Sequence, residues 1–170
     1  MTQAPQSRTH QDGVVIAASP EAVYDLVSDI TRTGEWSPVC TGCWWDDETE
    51  AGRVGAWFTG RNELPDRTWE TRSRVVAADP GREFAWVVGQ GFVRWGFLLE
   101  AEGAGTRLTE TWEFLPAGQS MFAEKYGDSA ADEIEDRTRQ AHAGIPRTLA
   151  AIKQLAETGA GRAGSPLPRR

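Results

Sequence analysis

Two cysteines three residues apart, Cys40-Thr-Gly-Cys43, make the tightest chemical spacing in the sequence. A Cys-x-x-Cys pair suits either a thioredoxin-type redox couple or half of a zinc site. The first needs a helix N-terminus and the second needs two more Cys or His. Here the pair follows Trp36-Ser-Pro and runs into Trp44-Trp45, as a strand would, and His10 and His142 are the only histidines. Two reduced thiols in a cytoplasmic protein are therefore expected. No phosphate-cradling glycine loop, Gly-x-Ser-x-Gly or metal constellation is present, so neither cofactor nor metal is expected.

The second chemical candidate is Glu110, and its importance comes from strand alternation. Successive side chains of a strand face opposite sides. On 68–78, Glu70, Arg72 and Arg74 mark the outer face, so Trp69, Thr71, Ser73 and Val75 point inward. The same count turns Phe84, Trp86 and Val88 inward, then Val93, Trp95, Phe97 and Leu99, then Leu108, Glu110, Trp112 and Phe114. Strand 54–62 can be read in either sense; Phe58, Gly60 and Asn62 are taken as inward, and Trp57, Thr59 and Arg61 as outward. Glu110 is then the sole carboxylate on an apolar inner face. Burial raises a carboxylate's pKa towards neutrality, which a general acid or base needs. The competing expectation is a structural Glu110 satisfied by Asn62, a backbone N–H or a Trp indole. Asn62, Ser73 and Thr71 are the other inward polar groups. His142 lies beside a helical stripe and is expected to be solvated or half-buried; Tyr24 and Tyr126 have no stronger claim.

The elements that must hold these groups are readable from punctuation. Gly13 to Ala18 is a β-branched, apolar first strand. Ser19-Pro20-Glu21 supplies an N-cap, a first-turn proline and an early acid for a helix over 20–30. Thr33-Gly34 ends that helical region, and Trp36 follows in a loop that could gate a cavity. From Cys40 to Phe114, alternating segments are separated by turn residues such as Asp79-Pro-Gly81 and Gly89-Gln-Gly91. Ile134, Thr138, Ala141, Ile145, Leu149, Ile152 and Leu155 then recur at helical spacing, predicting a long C-terminal helix kinked near Pro146. The expected organisation is a flexible N-terminus over 1–11, a ligand-binding domain over 12–157 and a flexible tail over 158–170. The fold class is α+β: a curved antiparallel sheet of about six to seven strands wrapped on that helix, with two short helices after the first strand.

Composition narrows the partners. The 170 residues include 25 acidic and 18 basic side chains, a net charge of -7, which disfavours nucleic acid and anionic membranes. The longest apolar run, Val14 to Ala18, is far too short to enter a bilayer as a span, and the polar Met1–Asp12 segment gives no sign of a secretory signal. Tryptophan is over-used, with eight against six Phe and two Tyr. Trp69, Trp86, Trp95 and Trp112 all fall on the inward parity of four successive strands, as the wall of a cavity would.

Several segments together carry a family resemblance: Ala-Ser-Pro-Glu-Ala-Val-Tyr-Asp-Leu-Val-Ser-Asp at 18–29, Gly-Glu-Trp-Ser-Pro at 34–38, Val-Gly-Ala-Trp-Phe-Thr-Gly-Arg-Asn at 54–62, Ala-Asp-Pro-Gly-Arg-Glu-Phe-Ala-Trp at 78–86, Gly-Thr-Arg-Leu-Thr-Glu-Thr-Trp at 105–112 and Arg-Thr-Leu-Ala-Ala-Ile-Lys at 147–153. Across about residues 12–157 the chain resembles the polyketide cyclase/dehydrase family of the helix-grip superfamily, which includes START lipid-transfer domains and birch-pollen-type allergens. The resemblance implies the fold strongly and the reaction weakly. It implies a small hydrophobic, aromatic or polyketide-like ligand, for which strand parity supplies the wall residues Phe58, Trp69, Thr71, Phe84, Trp86, Trp95, Phe97 and Trp112, and the loop position supplies Trp36. An enzyme of this kind would perform aldol-type cyclisation or dehydration, with Glu110 as acid/base and Asn62 or Ser73 polarising a ketone. No inward arginine or clear His/Tyr pair is expected, which weighs against a full aromatase. The alternatives are a non-catalytic carrier or sensor, and a co-chaperone-like interaction protein working through helix residues such as Glu135 and Arg139. A monomer or homodimer is expected.

Overall fold

The computed structural model describes residues 5–162, with side chains to residue 159. Strand β1 (Arg8–Ile16) leads into helix α1 (Pro20–Val27), where the Ser19 hydroxyl accepts the Ala22 amide at 3.2 Å and Pro20 occupies the first turn. A 3-10 turn over Ile30–Glu35 follows, capped by Asp29. Six strands come next: β2 (Cys40–Trp45), β3 (Trp57–Leu64), β4 (Arg67–Asp79), β5 (Glu83–Val88), β6 (Val93–Glu102) and β7 (Gly105–Phe114). Helices α2 (Pro116–Tyr126) and α3 (Ala130–Arg162) complete the described chain.

The seven strands form one antiparallel sheet in the order β1-β7-β6-β5-β4-β3-β2. Hairpins join β2 through β7 in sequence order. Helix α1 and the 3-10 turn carry the chain from β1 at one edge to β2 at the other. The inner face is covered by α3, whose Ala141, Ile145, Leu149 and Ile152 are buried at three- and four-residue spacing. The C-terminal part of α3 is tied to the start of the chain. Lys153 Nζ donates to the Val15 carbonyl at 2.7 Å and pairs with Glu157 at 2.6 Å, and Glu157 in turn accepts the Ala17 amide at 3.0 Å.

Packing differs between the two ends of the sheet. Under α1, Ile16, Val23, Val75, Phe84, Leu99, Leu108 and Ile152 form a dense cluster, several of them fully buried. Each such side chain contributes about 1.5–3 kcal/mol by leaving water. Towards the far end, beyond Phe97 and Ile145, α3 and the sheet diverge and the interior is hollow.

Element boundaries differ from the sequence expectations in several places, beginning with the helix expected over 20–30, which ends at Val27 and gives way to the 3-10 turn. Strand β1 starts at Arg8, so residues 8–11 belong to the sheet rather than to a flexible terminus; their backbone pairs with β7 out to Phe114. Strand β3 starts at Trp57, because Gly55 at φ +93° turns the chain before it. Strand β4 starts one residue early, at Arg67. The sequence carries no signal for helix α2: its apolar residues make no stripe, and only Gly118 in it is buried. Helix α3 continues through Pro146 and past Glu157. Pro146 lies on the exposed side of the helix with His142, where water can satisfy the carbonyl that proline leaves without a donor. Residues 1–4 of the expected N-terminus and 163–170 of the expected tail lie outside the described residues.

Candidate functional site

The hollow end is a cavity of about 720 Å³, a size that suits a drug-like or polycyclic molecule. Its floor is the concave face of β2–β7, its roof is α3, and α2 and the loop after the 3-10 turn border its mouth. Cross-strand register aligns the wall. Trp86 stands opposite Trp95, Trp95 opposite Trp112, Asn62 opposite Trp69, and Phe58 opposite Ser73. Rings meet at tilted or edge-on angles, as between Phe58 and Trp86 at 6.1 Å and Trp86 and Phe97 at 5.9 Å.

Of the residues singled out from the sequence, Trp36, Phe58, Asn62, Trp69, Thr71, Ser73, Trp86, Trp95, Phe97, Glu110 and Trp112 all line this cavity. The ambiguous β3 parity resolves with Phe58 and Gly60 buried and Arg61 exposed. Trp36 caps the 3-10 turn and is itself buried. Phe84 is a correction. It is fully buried among core side chains, edge-on to Tyr24 at 6.4 Å, because its place on β5 is under α1 rather than in the hollow. Tyr24 belongs to the same packed end, and burial pushes its phenol pKa up. His142 faces outward and stacks on His10 of β1 with ring centroids 3.8 Å apart, away from the cavity. Exposed Glu135 and Arg139 sit in ion pairs with Arg8 and Asp136.

Glu110 is 5 % exposed and faces Phe97 across the β6–β7 ladder. Its Oε2 has no hydrogen-bond partner among the described residues. Asn62 does not serve it: Asn62 lies on β3, four strands away, and donates instead to Thr71 Oγ1 at 3.3 Å and the Gly60 carbonyl at 3.4 Å. Among the described residues no cation or donor offsets its burial, and desolvation pushes the Glu110 pKa up to about 8. At neutral pH the carboxyl is mostly protonated, so it offers an O–H donor.

Alternation counted from residue 68 missed an arginine. Arg67 shares the parity of Trp69, lines the cavity and lies over the Trp69 ring with its guanidinium carbon 5.0 Å from the centroid. Its buried Nε also has no partner among the described residues. Arg137 of α3 joins the lining too, held by Glu133 at 3.6 Å and Asp136 at 3.2 Å. The expectation of no inward arginine is thus overturned. Starting the strand one residue earlier would have found Arg67. Tyr126, Phe122 and Met121 reach the wall from α2, and Thr148 from α3.

Cys40 and Cys43 also reach the cavity wall, with sulfurs 3.3 Å apart. No third His, Cys, Asp or Glu joins them as a metal set among the described residues. Among those residues, no helix is long and apolar enough to cross a membrane.

Comparison with known proteins agrees with this architecture. A family model described as polyketide cyclase / dehydrase and lipid transport matches residues 8–141. A Polyketide_cyc-like protein of Corynebacterium glutamicum, solved by solution NMR, is 52% identical over 96% of this chain and 99% of its own, with a TM-score of 0.69. The ZhuI aromatase/cyclase of a Streptomyces species shares 17% identity over 95% of this chain and 100% of its own, TM-score 0.69. The di-domain aromatase/cyclase StfQ of the steffimycin pathway shares 17% over 92% of this chain, which spans about half (52%) of that protein, TM-score 0.69. The last two likenesses are of fold. No curated protein matches the sequence.

Proposed function

The chain belongs to the polyketide cyclase/dehydrase and lipid transport family, and from that membership we propose that it binds a flat, apolar, oxygen-bearing aromatic or polyketide-like molecule in the Trp-walled cavity. The observation that carries this reading is the buried Glu110 carboxyl in the cavity wall, whose Oε2 has no partner among the described residues and whose pKa burial pushes up to about 8. A neutral carboxyl donates to a carbonyl oxygen, and a buried donor left without an acceptor costs about 1–3 kcal/mol. A ligand carbonyl at Glu110 removes that cost. The Nε–H of Arg67, without a partner among the described residues, is a second donor in the same wall, so the ligand that fits best carries two acceptor oxygens on an apolar frame.

Such a contact does more than hold. As a ketone enolises, negative charge grows on its oxygen, and a positioned acid donating to that oxygen accelerates the step by roughly 10²–10⁴-fold. Aldol-type cyclisation or dehydration is the reaction class that uses this, with Glu110 as the acid. Asn62 and Ser73, on β3 and β4, meet another part of the ligand. A carrier would use the same contact for retention alone.

Titration of the protein with a dihydroxyanthraquinone, followed by tryptophan quenching, tests this. Wild-type binding should weaken about tenfold, equivalent to ~1.4 kcal/mol, as pH rises through about 8 and Glu110 ionises. Glu110→Gln, which keeps a neutral donor, should bind with no such pH step. A pH-independent wild type, or no binding at all, would refute the reading. Turnover lost in Glu110→Gln with binding intact would identify an enzyme rather than a carrier.

A further inference from the structure

The Cys40/Cys43 pair is unused by the function proposed above, and its geometry is built rather than incidental. Residues three apart on a regular strand face opposite sides. Here the β2–β3 register slips: Cys40 pairs with Asn62, Gly42 with Arg61 and Cys43 with Gly60. The resulting bulge inserts Thr41 and returns both cysteines to the cavity face. The Ser37 hydroxyl accepts the Cys40 amide at 2.8 Å, fixing where the strand begins. Opposite the sulfurs sits Gly60, where a Cβ would stand 3.2 Å from Cys43 Sγ and 3.5 Å from Cys40 Sγ. The missing side chain leaves room for two thiols at 3.3 Å. Both are free and half-buried, so a small molecule entering the cavity reaches them.

We propose that Cys40 and Cys43 form a thiol–disulfide exchange site in the cavity wall, taking small-molecule disulfides of the glutathione type. The two thiols are not equivalent. A hydrogen bond from Cys43 holds Cys40 below the usual thiol range, while that bond and burial push Cys43 up. In place of a helix N-terminus, the Cys43 hydrogen bond at 3.3 Å makes Cys40 the attacking thiolate, with Cys43 the resolving thiol. The Cys40 thiolate attacks one sulfur of the disulfide, that S–S bond breaks, and one thiolate leaves. Cys43 then gives up its proton and attacks the Cys40 sulfur, expelling the second thiolate. Two protein thiols are oxidised to one disulfide, the small disulfide is reduced to two thiols, and the two cysteine protons end on those products.

The test uses the full chain, reduced and free of ligand, so it is independent of what the cavity binds. Incubation with oxidised glutathione, followed by acid quenching, intact mass and peptide mapping, should show both thiols lost. The mass should fall by two hydrogens, with only a transient glutathione adduct on Cys40. Cys43→Ser should stall as a lasting adduct on Cys40, and Cys40→Ser should react at least about tenfold more slowly, as expected for a mostly protonated thiol. Retention of both thiols in excess oxidised glutathione, or first attack mapped to Cys43 in the wild type, would overturn the proposal. The wild-type mapping decides the order of attack even if a serine variant folds poorly.

Discussion

Glu110 makes the stability of the domain depend on pH between about 4.5 and 8. Its folded pKa of about 8 lies above the ordinary carboxylate value of 4.5, so between those limits the folded state holds a proton that the unfolded state has released. Stability linked to this group is complete below about pH 4.5, declines as pH rises towards 8 and is lost above it. The total change is on the order of a few kcal/mol. Urea unfolding of wild type and Glu110→Gln across this range should give stabilities that diverge in the alkaline direction, with the variant flatter. Parallel curves would mean that Glu110 is not buried as a neutral acid. Phe84 and Trp95 make a second contrast on neighbouring strands. Phe84→Ala leaves a void in the packed end and should cost about 3–5 kcal/mol with ligand affinity unchanged. Trp95→Ala, at a half-buried wall position, should cost less stability and more affinity. Equal losses of affinity would show that the packed and hollow ends are not separate.

At the level of elements, the strands of the sheet were legible because alternation is a strong signal wherever one face is apolar and the other charged, as Glu70, Arg72 and Arg74 are opposite Trp69, Thr71 and Ser73. The inward tryptophans and Glu110 followed from it. Phe84 was on the correct face, but parity says nothing about position along the strand, so core and cavity wall look alike in sequence. Arg67 was lost to a one-residue error in a strand boundary. The inward turn of both cysteines was hidden because a bulge changes the parity locally. Helix α2 escaped because it buries almost nothing of its own; what fixes it is close approach. Gly118 is buried, and a Cβ there would run into the Phe92 carbonyl oxygen and stand 2.6 Å from the Phe114 ring. Gly118→Ala should therefore lift α2 off β6 and β7, carrying Met121 and Phe122 away from the cavity mouth. Faster ligand release and faster amide exchange over 116–126, with the sheet's exchange unchanged, are the expected readouts. Unchanged exchange would show that α2 tolerates the added methyl.

The molecule as a whole divides its interior between stability and binding. A chain of this length can bury a continuous core, yet this one leaves about 720 Å³ between α3 and the sheet. Side chains facing a void lose dispersion contacts that a packed neighbour would supply, so Trp69, Trp86 and Trp95 hold the cavity open at some cost to stability. A ligand restores those contacts only in the folded state. At a free concentration a hundred times its Kd it should therefore stabilise the fold by about 2.7 kcal/mol, which for a domain this size raises the Tm by about 5–11 °C. Thr71→Leu partly fills the hollow from a half-buried wall position. It should raise or preserve the Tm of the free protein while shrinking the shift produced by a dihydroxyanthraquinone. The two effects oppose each other because they compete for one volume. A variant with an undiminished ligand shift would mean that the ligand sits elsewhere on the molecule. A variant with a lowered Tm and a lost shift would mean that crowding at the wall, or loss of the Thr71 Oγ1 acceptor for Asn62, outweighs the filled volume.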